Sequence, residues 1–598
     1  MKKIYLAGNT ISCKFNSYSK KETLPLIIAV LFFILLYISL AFQLTLYDDG
    51  AAFGTIIKEI CVKGEIIDYN PNGWVLSPVL GSPSVKPILT YGPSFFFISN
   101  SLLTLFTNNE RLSLNISATI FILLLIIITY KLFKLGFPKK IAIYSAFLIP
   151  FIPLIYFFVG GYMETTLGFL CILSIYWYIK FKSKPTLSNS VVLSLLLLAT
   201  YWVKFSSIIL IIAISILLLL DIKSEGKSRK IILIFCIFLI LSTPLFLFTV
   251  QSNGTLSLTQ TAKIPILDNY VFHPWWNWEK EEWDKQLDKD SNWRYYEEKR
   301  MQYSLKSRST MLENLMNGNI KSTIQFFSAF PLSSKVGEYH IFQGYIWSPL
   351  FLFLVVIGIL GYLVSIKKNL EASKNLAFKN FNLVLIILTV LFIYVFLNGG
   401  IILRHMFYFL ILCMIFYGYG IYFIAKKLSK LGKILLVMVV IIALIQTSMF
   451  SYQKKLDFKN SFGHVFLQKG GRKDLKILKK EIKLPEHKNI FAPAEEVPYY
   501  LNRRVIWDER IFFVSEEKLP LYFMHFNVSY LIIPKWMLRE IIGGKYNKID
   551  NYPTGNVWNP VPTDSAFYKL LIEEKHFKKV KEYGGFYVYR FDFENPKK

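Results

Sequence analysis

Pro93-Ser94-Phe95-Phe96-Phe97-Ile98-Ser99-Asn100-Ser101-Leu102-Leu103-Thr104-Leu105-Phe106 is apolar but short. Whether it crosses a membrane fixes the sidedness of everything that follows it. A helix of this length reaches only about 20 Å, and the hydrocarbon core is about 30 Å thick. The stretch therefore reads as a juxtamembrane or re-entrant helix that does not cross.

Working outward, longer apolar runs occupy 24–46, 113–130, 140–159, 162–179, 188–203, 206–220, 231–250, 346–366, 381–398, 403–424 and 434–452. That gives about eleven transmembrane helices. The first run is too long for a signal-peptide core and lacks a small-residue cleavage site, so it reads as an uncleaved anchor. The runs 188–203 and 206–220 are short and abut at Tyr201-Trp202-Val203-Lys204-Phe205, as a helical hairpin with its tip at the outer face would.

The charge distribution supports this parity. The chain is 54% hydrophobic with net charge +28, and its lysines sit in runs between apolar stretches. Such runs mark topology, and nucleic acid is not an expected partner. With the N-terminus in the cytosol and 93–106 not crossing, cytosolic loops hold Lys131/Lys134/Lys139/Lys140, Lys180/Lys182/Lys184 and Lys223/Lys227/Arg229/Lys230. Lys367/Lys368/Lys374/Lys379 and Lys426/Lys427/Lys430/Lys433 follow. The short outer turns 159–163 and 399–402 carry no Lys or Arg, as the positive-inside rule requires.

The expected fold class is an all-α polytopic membrane domain, residues 1–452, with outer loops 47–112 and 251–345. A small extracytosolic α/β domain, 453–598, follows it. In that tail, 490–492 and 530–533 read as short buried strands and 474–483 and 565–576 as amphipathic helices. A last strand pair, 580–583 and 586–591, turns at Gly584-Gly585. None of the five cysteines lies beyond Cys413, so the tail has no disulfide framework. The localisation that follows is the inner or plasma membrane, with the C-terminal region outside.

Chemistry is concentrated at the outer face. Tyr47-Asp48-Asp49-Gly50 ends the first span. Two carboxylates there suit a general base, a metal-ligand pair, or a solvated helix end. Glu164 opens the fourth span on the same face, where a carboxylate is costly if it enters the bilayer. Lys204, at the hairpin tip, is a lysine on the side where topology disfavours one. Arg404-His405 opens the tenth span, again outside. Acids that orient an acceptor, beside cations that take up charge growing on a phosphate leaving group, suit transfer from a phosphate-linked donor. No Gly-rich phosphate loop or dinucleotide fingerprint is present.

In their order, these elements resemble the GT-C superfamily of membrane glycosyltransferases, in particular the protein O-mannosyltransferase and lipid A aminoarabinose transferase branch. The resemblance covers the membrane region. It rests on Asp48-Asp49 and the segment 51–61, then Thr90-Tyr91-Gly92-Pro93 leading into Phe95-Phe96-Phe97, then Arg111, Glu164, Lys204 and Arg404-His405. It implies a sugar donor linked to polyprenyl phosphate, inverting displacement at the anomeric carbon, and an acceptor that is a lipid, a glycan or a protein. It implies Asp48 as the base, with Asp49 as the alternative, and Lys204 and Arg404 near the donor phosphate. Lys86 and Tyr91 fall at the basic and aromatic positions before the juxtamembrane helix. His405 departs from the usual Tyr. A divalent cation, Mg or Mn, is left open as cofactor, with Asp48, Asp49 and Glu164 as its ligands.

The outer loop run Tyr270-Val271-Phe272-His273-Pro274-Trp275-Trp276-Asn277-Trp278 reads either as a lid over the sugar, with His273 as its polar member, or as an interfacial aromatic belt. The competing functional classes are a transporter or flippase and a surface-polysaccharide polymerase or ligase. A transporter places ionisable groups on broken helices at mid-membrane, whereas here they gather at one face.

Overall fold

The structure, a computed structural model, describes residues 95–152, 163–204, 207–253, 349–397, 407–427, 471–481, 488–506, 516–538 and 565–592, each with short gaps. It also describes scattered positions in 27–35 and 53–61, single residues at 155 and 441, and Trp74–Val75. The described part is mostly helical with one small sheet.

Ten helices span the described membrane region: α1 Phe95–Thr107, α2 Glu110–Gly136, α3 Lys139–Phe147, α4 Glu164–Ser183, α5 Leu187–Tyr201, α6 Ile208–Leu220, α7 Ser228–Asn253, α8 Pro349–Ala372, α9 Leu376–Leu397 and α10 Phe407–Lys427. Each of α2 to α10 falls on a predicted apolar run. Three are long and apolar enough to cross a membrane: Glu110–Gly136, Leu376–Ile393 and Phe407–Lys426. In the predicted span 140–159 the helix is interrupted after Phe147 by the 3-10 turn Ile149–Phe151, and Ile155 is again helical. Pro150 and Pro153 explain the break, because proline lacks the N–H that a continuing helix needs.

Small residues set the tightest packing. A Cβ added at Gly358 of α8 would strike the Phe416 carbonyl of α10, and one at Gly420 of α10 would strike that of Leu354. At Gly418 it would meet Ser145 Oγ and lie 2.7 Å from the Ile141 carbonyl of α3. Without a hydrophobic force between helices in lipid, close backbone approach supplies the dispersion contacts that hold them.

The short helix α1 buries Phe96 and Phe97 in its first turn and polar residues after them. Asn100, Ser101 and Thr104 are buried, while Leu102, Leu105 and Phe106 are 54%, 59% and 85% exposed. Asn108 makes the turn into α2 with φ +49°, a backbone that Asn tolerates better than most residues. Asn109 then caps α2, its side chain accepting from Leu112 N.

The six-stranded sheet has the order β1-β3-β2-β4-β6-β5, from strands β1 Trp74–Val75, β2 Asn489–Phe491, β3 Val505–Ile506, β4 Val528–Pro534, β5 Phe577–Glu582 and β6 Phe586–Phe591. The first four in that order run parallel, and β6 and β5 close the other end antiparallel. Strands β2, β4, β5 and β6 fall on the predicted stretches. The two-residue strands β1 and β3 show no alternation to read. Strand β1 comes from the first outer loop and pairs with Val505 and Ile506, so the sheet joins that loop to the C-terminal region.

Candidate functional site

Of the residues singled out in the sequence, Arg111, the second residue of α2, Glu164 and Lys204 are described. Asp48, Asp49, Lys86, Tyr91, His273, Arg404 and His405 lie outside the described residues, as does the loop run around His273.

Glu164 is the first residue of α4 and is 1% exposed. A carboxylate there offsets the positive end of the helix dipole. Its Oε1 accepts from Lys204 Nζ at 2.8 Å. The lysine reaches it because α5 and α6 fold back as the expected hairpin, with Lys204 in the turn between them. Lys204 N bonds Thr200 O, and Ser207 N bonds Lys204 O, which closes that turn. So the carboxylate and the lysine that the charge pattern singled out separately form one ion pair.

Two further segments meet at this point. The backbone N–H of Phe95, first residue of α1, donates to Trp202 O at the hairpin tip (3.3 Å). Phe53, four residues after Asp49 in the sequence, is buried against α1, with its ring edge-on to Phe96 and Phe97 at 5.6 and 5.7 Å. Below it Cys61 Sγ donates to Ser101 O at 3.5 Å. All described positions from 53 to 61 are helical, as expected of 51–61. The segment that follows the acidic pair is thus packed on α1, which is pinned to the loop that carries Lys204.

The tenth span approaches from the other side. Gly168 lies one turn below Glu164 on the same face of α4. A Cβ there would come within 2.8 Å of Phe407 Cδ1, at the start of α10. Phe407 is three residues after Arg404 in the sequence. Gly168 and Trp202 were not singled out by sequence reasoning. The glycine's signal was its spacing of four from Glu164; a backbone carbonyl leaves no signal at all.

Among the described residues no group of three His, Cys, Asp or Glu side chains stands close enough to hold a metal ion. Glu164 has already given one oxygen to an ammonium, so a cation there would share the carboxylate with Lys204.

No family model matches the chain, and no curated protein matches it closely. Solved structures do. The oligosaccharyltransferase of Archaeoglobus fulgidus in the apo form aligns over 96% of this chain and 75% of its own, with TM-score 0.58 and 12% identity. The same organism's oligosaccharyltransferase in complex with Zn and sulfate aligns over 95% and 73%, with TM-score 0.57 and 13% identity. Its oligosaccharyltransferase AglB in complex with an inhibitory peptide and a dolichol-phosphate aligns over 86% and 70%, with TM-score 0.54 and 12% identity. At these identities the likeness is one of fold, shared with these archaeal structures.

Proposed function

We propose that this chain is a membrane glycosyltransferase that moves a sugar from a polyprenyl-phosphate carrier to an extracytosolic acceptor. The acceptor hydroxyl or amide attacks the anomeric carbon. The bond from that carbon to the phosphate oxygen breaks, polyprenyl phosphate leaves, and Asp48 takes the acceptor's proton, with Asp49 as the alternative base. Lys204 and Arg404 take up the charge that grows on the leaving phosphate. Glu164 holds Lys204 toward that phosphate. Lys86, Tyr91 and His273 line the donor side.

The observation that carries this reading is the set of contacts around the Glu164–Lys204 pair: Glu164 of α4 bonds Lys204, Phe95 N of α1 bonds Trp202 O two residues before that lysine, Phe53 packs on α1, and Phe407 at the start of α10 packs against Gly168, one turn from Glu164. Helices that gather ionisable residues at one membrane face suit a donor arriving laterally in the bilayer. The fold's relatives fit the same picture, since one is complexed with a dolichol-phosphate and a peptide. About eleven spans with the N-terminus in the cytosol place this point outside. Residues 1–452 then form the catalytic unit, and 453–598 an outer domain on the acceptor side, tied to the first loop through β1. A divalent cation held by Asp48 and Asp49 would supply Lewis acidity at the same place, and no step above runs through it.

The test is transfer of labelled sugar from a polyprenyl-phosphate donor in membranes. Asp48→Asn is expected to lower turnover by about 10²- to 10⁴-fold while donor binding persists. If Asp48→Asn and Glu164→Gln both keep full transfer, the assignment is wrong. Mass spectrometry of surface glycans and lipids from a deletion strain would name the sugar and acceptor class.

A further inference from the structure

Two helices begin at the ion pair, and their N-termini differ. Helix α4 answers its positive end with its own Glu164. Helix α6, thirteen residues long, has no acidic residue in its first turn. Ser207 stands at its N-cap position with no side-chain cap bond, fully buried, and its Oγ has no hydrogen-bond partner. Trp202 Nε1, five residues earlier, is also buried without a partner. Lys204 lies between them and gives one of its three ammonium protons to Glu164.

Buried donors are nearly always satisfied, so two orphans within six residues of one loop point to something that completes them. A helix N-terminus flanked by a hydroxyl, an indole N–H and an ammonium fits a phosphate oxygen cluster. We infer that Trp202 and Ser207, at the α5–α6 tip, donate to the phosphate of the ligand, beside Lys204. This rests on the transferase reading for the ligand's identity, and it adds two positioning residues to it. Glu164 offsets part of the charge of Lys204, so the neutral donors and the helix end share recognition of the phosphate with it. Such a cradle holds free phosphate poorly and favours a phosphate that its lipid tail already delivers to the membrane face.

The test is binding to the full purified chain of farnesyl phosphate, farnesol and inorganic phosphate, for wild type, Ser207→Ala and Trp202→Phe. Each variant is expected to weaken farnesyl phosphate binding about tenfold. Farnesol binding should not change. The melting temperature without ligand should hold or rise, because an unsatisfied buried donor is removed; a residue that served only packing would lower it. Farnesyl phosphate bound equally by wild type and variants overturns the inference and leaves the transferase reading standing. Inorganic phosphate binding that the variants weaken, without farnesyl phosphate binding, keeps the cradle and removes the lipid-linked donor. Wild type that binds neither overturns the cradle, and the transfer assay then judges the enzyme separately.

Discussion

Helix α4 is tied to α6 at both ends by a lysine and a carboxylate, in opposite order. At its start Glu164 takes Lys204, in the turn before α6; near its end Lys182 pairs with Asp221, the residue that caps α6. The eighteen residues from Glu164 to Lys182 put the pairs about 27 Å apart, close to the thickness of a bilayer's apolar core. The surroundings separate them. The lower pair sits among lysines, with Lys180 over the rings of Tyr176 and Trp177 at 4.8 Å each. The upper pair has one lysine, a carboxylate 1% exposed, orphaned donors beside it, and three other segments packed around it. The same chemistry braces a helix at one face and builds a candidate site at the other. What distinguishes them is what converges, not the pair itself.

The largest expected effect breaks the comparison if it fails. Swapping the upper charges, Glu164→Lys with Lys204→Glu, keeps an ion pair but aims a carboxylate at the leaving phosphate, and transfer should fall by at least ~100-fold. The same swap below, Lys182→Asp with Asp221→Lys, should leave transfer per folded molecule unchanged. Next, Lys182→Met strands Asp221. Both groups keep some access to water, so the cost should be about 2 kcal/mol, read as a lower melting temperature with unaltered turnover. Smaller again, Gly168→Ala pushes Phe407 away from the face below Glu164. Transfer should drop about tenfold through misplacement, with little loss of stability.

The smallest effect calibrates the scale with an exposed pair. Lys581 and the Tyr583 hydroxyl bond Glu481 at 3.0 and 2.8 Å and hold its carboxyl below the ordinary carboxylate range. A carboxyl lowered on folding stabilises above its unfolded pKa of about 4.3 and loses that contribution as pH falls through the lowered value. Glu481→Gln should therefore slightly flatten the acid side of the stability profile, seen in unfolding monitored from pH 5 downward, roughly across that pKa, and leave transfer at neutral pH untouched.

The sequence made the upper pair legible because Lys204 sits in a short outer turn, whereas the short outer turns 159–163 and 399–402 carry no Lys or Arg. Lys182 obeyed the positive-inside rule, so its partner Asp221 went unnoticed: a residue that satisfies one rule hides its second role. Hydrophobic length and charge asymmetry marked the helices, and proline explains the interruption after Phe147 in the 140–159 run. In α1 buried Phe96, Phe97, Asn100, Ser101 and Thr104 alternate with exposed Leu102, Leu105 and Phe106, so 93–106 offered no clean apolar face to read, and it is too short to cross. Strands of two residues, β1 and β3, carry no period, and the tie they make between the first loop and the C-terminal sheet is a matter of long-range pairing. The Trp202 carbonyl that holds α1 and the missing side chain of Gly168 are features that a reading of side-chain chemistry does not weigh.

The central claim is that Asp48 and Asp49 share the site with Lys204. Its direct measurement is cross-linking of Asp49→Cys to Lys204→Cys, in a background free of other cysteines, with a short bifunctional thiol reagent added to intact cells. The account predicts rapid cross-linking that excess polyprenyl phosphate slows. Two thiols that both react with the reagent from outside but never join would contradict it.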